Sequence, residues 1–238
     1  MTDSKGGVAA VDRALTILEA FRTTNSDSLS LAAIAAQTGF YKSTILRLIA
    51  SLERFGYIRQ LDDGRYKLGS TLSALGAMYR ESFRLGDFIN PALEYIVNQL
   101  NESASFIVVE GNQQLILFRR DTSQRVRDHL GIGDTMSMAD GGASVKIIHR
   151  YSGQTANTLD PKEFCEFSFG ERNPEMAGIA TPVFDDANNF VGVMTVTGPL
   201  FRFSKKAAKE FAAVLVKESV RTSLSLGASP ALFKNINY

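Results

Sequence analysis

Apolar residues recur along this chain with two periods, and the switch between them divides it. Up to about residue 100 the spacing is helical. Val11, Ala14, Leu15, Leu18 and Phe21 make one stripe, predicting a helix over about 8–22. Leu31, Ile34 and Ala35 repeat the spacing behind Ser30, a residue suited to accept a free backbone N–H at a helix start. Gly39 falls where a left-handed residue ends such a helix. A second helix begins near Tyr41–Lys42 and buries Ile45, Leu48, Ile49 and Leu52 along one face. Gly56 stops it. Tyr57-Ile58-Arg59 and Arg65-Tyr66-Lys67-Leu68 then read as two strands joined at Asp63-Gly64, a preferred hairpin turn. Ser70 caps a further helix with Leu72, Leu75, Tyr79 and Phe83 on its stripe. Asp87 opens another bearing Ile89, Leu93, Ile96, Val97 and Leu100, with Pro91 tolerable in its first turn.

From Ala104 the period falls to two. Residues 105–110 and 114–120 predict a hairpin around Gly111-Asn112, and RVRDHLG (125–131) predicts a third strand. A helix over about 141–150 follows, then strands over 177–185 and 190–198 that meet around residues 186–189. A long amphipathic helix over about 204–226 closes the pattern, and the tail beyond Gly227 is either free or docked through Phe233 and Tyr238. The fold class is α+β. A winged helix-turn-helix spans residues 1–69, a linker helix 70–84, and a mixed α/β domain 85–238, its mixed sheet covered by helices.

Short helix, tight turn, second helix and basic hairpin together form a shape that places one helix in the major groove of DNA. At 100° per residue the polar face of the second helix carries Ser43, Arg47, Ala50 and Arg54, with Thr44 and Ser51 at its edge. An ordinary solvated face usually carries more Glu and Lys. Arg47 and Ser43 are the candidates for base edges; Lys42, Thr44, Arg54, Arg65 and Lys67 are the candidates for phosphates. Six Lys and Arg against three Asp and Glu over residues 39–69 leave +3 there, whereas the whole chain carries only +1. Charge is thus concentrated on the elements that would meet a polyanion.

Composition is that of a globular chain, 45% hydrophobic and 21% charged, and no apolar run of 18 or more residues predicts a membrane span. The first fifteen residues lack an apolar signal core and are expected to lead loosely into the first helix. A single cysteine, Cys165, cannot form an internal disulfide, which suits a reducing cytoplasm. Enzyme signatures are missing: no P-loop, G-x-S-x-G or H-E-x-x-H occurs, and two histidines with one cysteine are poor zinc ligands. No cofactor or metal is expected.

Several segments resemble the IclR family of bacterial transcription regulators. They are VDRALTILEAF (11–21), residues 29–58, DGRYKLGSTLSALG (63–76), GDTMSMADGGASVKI (133–147) and residues 177–204. Departures are Tyr41 where the family commonly has proline, Met138 for a frequent histidine, Ser144 for a frequent lysine, and a shorter stretch over 151–164. The resemblance implies a GAF-like effector-binding domain, a linker helix acting as dimer seam, and a homodimer or homotetramer on a double-stranded DNA operator. It also implies that Gly141, Gly142, Thr195 and Thr197, and with a looser match Arg127, Met176 and Gly178, line an effector cavity.

The residues themselves bear on that cavity. Gly141-Gly142 at a helix start expose backbone N–H groups suited to a carboxylate, and Thr195 and Thr197 share a strand face. Arg125 and Arg127 share a face of the expected third strand. Turned inward they require an anionic ligand such as a small organic acid, aromatic if Phe106 and Phe118 are near; turned outward they are a solvated pair. The expectation is a DNA-binding regulator under effector control. The alternative is constitutive DNA binding with a C-terminal domain that only oligomerises.

Overall fold

The computed structural model describes residues 7–24, 26–82 and 85–238, which fall into two compact units, Met1–Ser82 and Phe83–Tyr238. Phe83 of the expected linker stripe and the lead-in residues 1–6 lie outside the described residues.

In the first unit, helices α1 (Ala9–Arg22), α2 (Leu31–Thr38) and α3 (Lys42–Arg54) pack around Ile17, Phe21, Ile34, Ile45 and Ile49. Ser30 Oγ accepts the Ala33 N–H at 3.1 Å, and Gly39 ends α2 at φ 71° with its N–H bonded to Ala35 O. Strands β1 (Ile58–Gln60) and β2 (Tyr66–Leu68) pair antiparallel around the Asp63-Gly64 turn, where Gly64 takes φ 81°. Leu29 extends this wing, exchanging two 2.8 Å backbone hydrogen bonds with Tyr66. Helix α4 (Ser70–Ser82) follows, its Leu75 and Met78 exposed.

The second unit is built on a six-stranded sheet. Its strands are β3 (Ser103–Glu110), β4 (Gln113–Arg120), β5 (Thr135–Ser137), β6 (Glu166–Phe169), β7 (Met176–Phe184) and β8 (Phe190–Pro199), in the order β5-β4-β3-β8-β7-β6. Every neighbouring pair is antiparallel. The mixed sheet expected from alternating strands and helices is therefore corrected: the helices lie between antiparallel partners and make no parallel crossover. Helices α5 (Gly86–Leu100) and α7 (Lys205–Ser225) cover one face, burying Ile89, Leu93 and Ile96 against Phe106, Ile179 and Met194. Helix α6 (Ala143–Tyr151) covers the other, with Ile147 and Ile148 against Ile107, Ala180 and Val193.

One expectation fails here for a physical reason, and a second holds in part. Residues 125–131 form a loop instead of a strand; Val126 is 59% exposed while Asp128 turns inward, and side-chain oxygens satisfy the backbone in place of a ladder. Asp128 Oδ1 takes the Leu130 N–H and Asp134 Oδ2 takes that of Gly131. Arg125 and Arg127 consequently share no strand face. The tail docks, but through Leu232, Phe233 and Ile236; Tyr238 stays exposed. No described helix is long and apolar enough to cross a membrane.

One glycine of β8 sits in close packing against β3. A Cβ on Gly192 would strike the Phe106 ring and lie 2.7 Å from Ile107 O, at the register shift of β3 against β4. Gly192→Ala is expected to destabilise the chain by roughly 1–3 kcal/mol, read as a lower urea midpoint with an unchanged slope.

Candidate functional sites: a DNA-facing helix and a cavity on the sheet

On α3 the polar face stands outward. Lys42, Ser43, Arg47, Ala50, Ser51 and Arg54 are exposed and Thr44 is half-buried, while Ile45 and Ile49 are sealed into the core. The helix starts at Tyr41, whose side chain makes no capping bond, so the first N–H groups remain open for a phosphate. Tyr41 itself is 85% exposed, and Leu46 also reaches solvent, a feature the helical period did not indicate. Arg54 rests its guanidinium over the Phe55 ring at 5.2 Å. On the wing Lys67 is exposed. Arg65 is not free: its Nε donates to Ser28 Oγ at 2.9 Å and an Nη donates to Ser28 O. That arginine fastens the wing to the segment before α2.

The second site grows out of the sheet register. Arg119, Ser105, Thr195, Ala180 and Glu166 form one rung across β4, β3, β8, β7 and β6. Ser103, Thr197, Gly178 and Ser168 form the rung two residues along. Strand alternation puts both rungs on the face beneath α6. There Ser105, Arg119, Ser168, Gly178, Thr195 and Thr197 line a cavity closed by Gly141, Gly142, Ala143, Ser144 and Met176. Six of the seven residues expected at an effector site thus meet around one space. Arg127 does not join them; it is exposed on the loop and lines an outer chamber instead.

The roof depends on a local turn. Ser137 and Asp140 cap each other's backbone around the short turn Met138–Asp140, and the chain then passes through Gly141 (φ 73°, ψ −163°) and Gly142 (φ 104°, ψ 172°) into α6. Only glycine adopts these backbone angles readily. With Gly142 as the residue before α6, no side chain caps the helix. Ser144, which replaces a frequent lysine, gives its hydroxyl to Gln114 Oε1.

One wall holds a group that the period of the sequence concealed. Arg119, 5% exposed, donates to Asp121 Oδ1 at 2.8 Å, to Ser105 Oγ at 2.9 Å and to Asp128 Oδ1. The other Asp128 oxygen accepts from Thr197 Oγ1 at 2.9 Å. The sequence signal was present, since two aspartates follow an arginine that ends an apolar strand. Reading 125–131 as a strand hid it. Ser168, Arg172 and Asn173 also line the cavity and were missed, because little in their local sequence sets them apart from loop residues.

Catalytic geometry is not apparent in these elements. Burial pushes the Cys165 thiol up to about 12, so it stays protonated at neutral pH, and both histidines are exposed. Among the described residues no three His, Cys, Asp or Glu side chains gather as metal ligands.

Comparisons with known proteins bear on the family and the fold. The family model of the IclR helix-turn-helix domain matches residues 10–62. The transcriptional repressor IclR of Escherichia coli is 22% identical over 93% of this chain and 91% of its own length. The regulator BhcR of Paracoccus denitrificans is 25% identical, covering 96% of this chain and 90% of its own. Among solved structures, Thermotoga maritima IclR superposes with a TM-score of 0.74 at 19% identity, covering 91% of this chain and 98% of that one. An IclR homologue from Microbacterium hydrocarbonoxydans, solved in complex with 4-hydroxybenzoate, also gives 0.74, at 16% identity over 93% and 100% of the two chains.

Arg119→Ala would remove the counter-charge of the buried Asp128 carboxylate. Breaking a buried pair in this way typically costs about 3–5 kcal/mol. Denaturant unfolding of the full chain is expected to show a loss of that order, larger than the loss from Arg127→Ala, whose side chain is solvated.

Proposed function

Because the chain belongs to the IclR family of transcription regulators, we propose that it binds a DNA operator as a homodimer or higher oligomer and that a small organic acid in the sheet cavity sets its DNA affinity. The observation that carries the DNA half is the outward face of α3, where Ser43 and Arg47 stand clear of the core beside an uncapped helix start. Ser43 and Arg47 read base edges. Lys42, Thr44, Arg54 and Lys67 hold phosphates, while Arg65 keeps the wing in place. A total charge of +1 gives little non-specific hold on DNA, so affinity rests on paired recognition helices about 34 Å apart. Exposed Val11 and Leu15 on α1 and Leu75 and Met78 on α4 supply apolar surface for that pairing. The site of action is the cytoplasm.

The effector half is supported by the cavity under Gly141-Gly142, Met176, Gly178, Thr195 and Thr197, and by the 4-hydroxybenzoate held by a protein of the same fold. A ligand shifts DNA affinity only through unequal affinity for two arrangements of the protein. The protein is a regulator and no chemical step is assigned to it.

Two measurements test this reading. With promoter DNA, Arg47→Ala is expected to cost about 1–3 kcal/mol on the operator and to relax its sequence preference. Lys67→Ala should weaken all duplexes alike and reduce the salt slope by about one; identical behaviour of the two variants would refute the division of roles. Footprinting with and without a panel of small organic acids is expected to show a ligand-dependent change. A footprint indifferent to every acid leaves the constitutive alternative.

A further inference from the structure

The cavity has two compartments, and the charges around them do not balance alike. The inner one measures about 50 Å3. At roughly 10–15 Å3 for each water, it holds a carboxylate and a carbon or two, not a ring or a chain. Beyond it lies an outer chamber of about 830 Å3, and Leu130, Arg172, Asn173 and Met176 line both, forming a collar between them.

The cations differ in what they have left to offer. Arg119 is committed to Asp121, Asp128 and Ser105 through all three of its guanidinium nitrogens, and Arg127 shares Asp121, so two carboxylates already balance these two cations. Arg127 lies on the exposed loop, 4.0 Å from Asp121 and donating to Gln124 O. Arg172, half-buried at the collar, makes no ion pair or hydrogen bond among the described residues. Ser168, only 6% exposed, likewise lines the cavity with no partner for its hydroxyl. A Cβ built on Gly142 would stand 4.0 Å from both Arg172 Cβ and Ser168 Oγ, so the open start of α6, that hydroxyl and that arginine surround one point. A cavity-lining hydroxyl and an arginine of the same wall, neither with a protein partner among the described residues, leave a polar cluster that an acceptor-only group completes.

The outer chamber is apolar on one side. Val126, Leu200 and Phe201 line it at 59%, 37% and 76% exposure. One face of the Phe201 ring is covered by the Arg202 guanidinium at 5.3 Å.

We propose that the ligand is an amphiphilic monocarboxylic acid. Its carboxylate sits between Arg172, Ser168 Oγ and the first N–H groups of α6, and its apolar remainder passes the collar to lie along Val126, Leu200 and Phe201. This deepens the effector reading above and rests on it. Arg172, and not Arg127, is the counter-charge, and the chamber selects for length.

The test is calorimetric titration of the full chain with propanoate, octanoate and 1-octanol. Octanoate is expected to bind at least about tenfold more tightly than propanoate. Arg172→Gln should weaken both acids about tenfold or more and leave octanol unchanged, with Arg172→Lys restoring most of the loss. Phe201→Ala should bring octanoate toward propanoate without altering propanoate. Equal affinity of the two acids, or indifference of both to Arg172→Gln, overturns the proposal. So does a Phe201→Ala variant whose only change is in self-association, which would make the chamber a contact with a second copy. If acids bind without length dependence and still move the DNA footprint, only this inference falls. If no acid binds or moves the footprint, the effector reading falls with it.

Discussion

A guanidinium buried away from water must be paired, and the second unit is arranged around meeting that demand. Arg119 lies at the end of β4 with almost no exposure, and the loop after it returns to supply Asp121 and Asp128. Asp128 then reaches across to Thr197 on β8. A loop without a ladder of its own is thus secured at its middle to two strands. Its far side is held as well, since Arg202 bridges the buried Glu102 and the Val126 carbonyl. The same chemistry dictates what the inner cavity can recognise. With all its guanidinium nitrogens already paired, that deepest cation keeps no free donor side for a further anion.

The neutral floor beside that wall is set by register. Small or hydroxylated residues fall on two adjacent rungs, Ser105–Thr195–Ala180 and Thr197–Gly178–Ser168, so the sheet surface is hollow where larger side chains elsewhere fill it. Above the hollow, Gly141 and Gly142 bring a helix start close without any side chain intervening. A depression in the floor and a bare helix end in the roof together make the space; neither would suffice alone.

How much of this was legible in the sequence follows from the range of each interaction. In the first unit nearly everything was readable, because caps, turn glycines and a helical stripe act over three or four residues: Ser30, Gly39, Ile45 and the Asp63-Gly64 turn fall where expected. Arg65 is the exception, its partner Ser28 lying 37 residues away. In the second unit the local signals located α6 and the hairpins, and the alternation of Thr195 and Thr197 correctly put both on the cavity face. What failed was long-range. Alternation in RVRDHLG imitates a strand, yet Asp128 faces inward to meet an arginine nine residues back, and Val126 faces solvent. Short β5 and β6 went unseen, since three or four residues carry too little periodic signal. Missing β6 meant missing Ser168, and with it one edge of the cavity.

The anchoring of the wing to what precedes α2 has its own corollary. Leu29 bridges to Tyr66 on the outer edge of the hairpin while Arg65 clasps Ser28, so the hairpin and the entry to the helix pair are one mechanical piece. Reading head and flanking hairpin therefore arrive at a duplex already set at a fixed angle. An operator whose groove is too wide or too narrow for that preset angle must itself bend, and the stiffness of the DNA becomes part of what distinguishes one promoter from another.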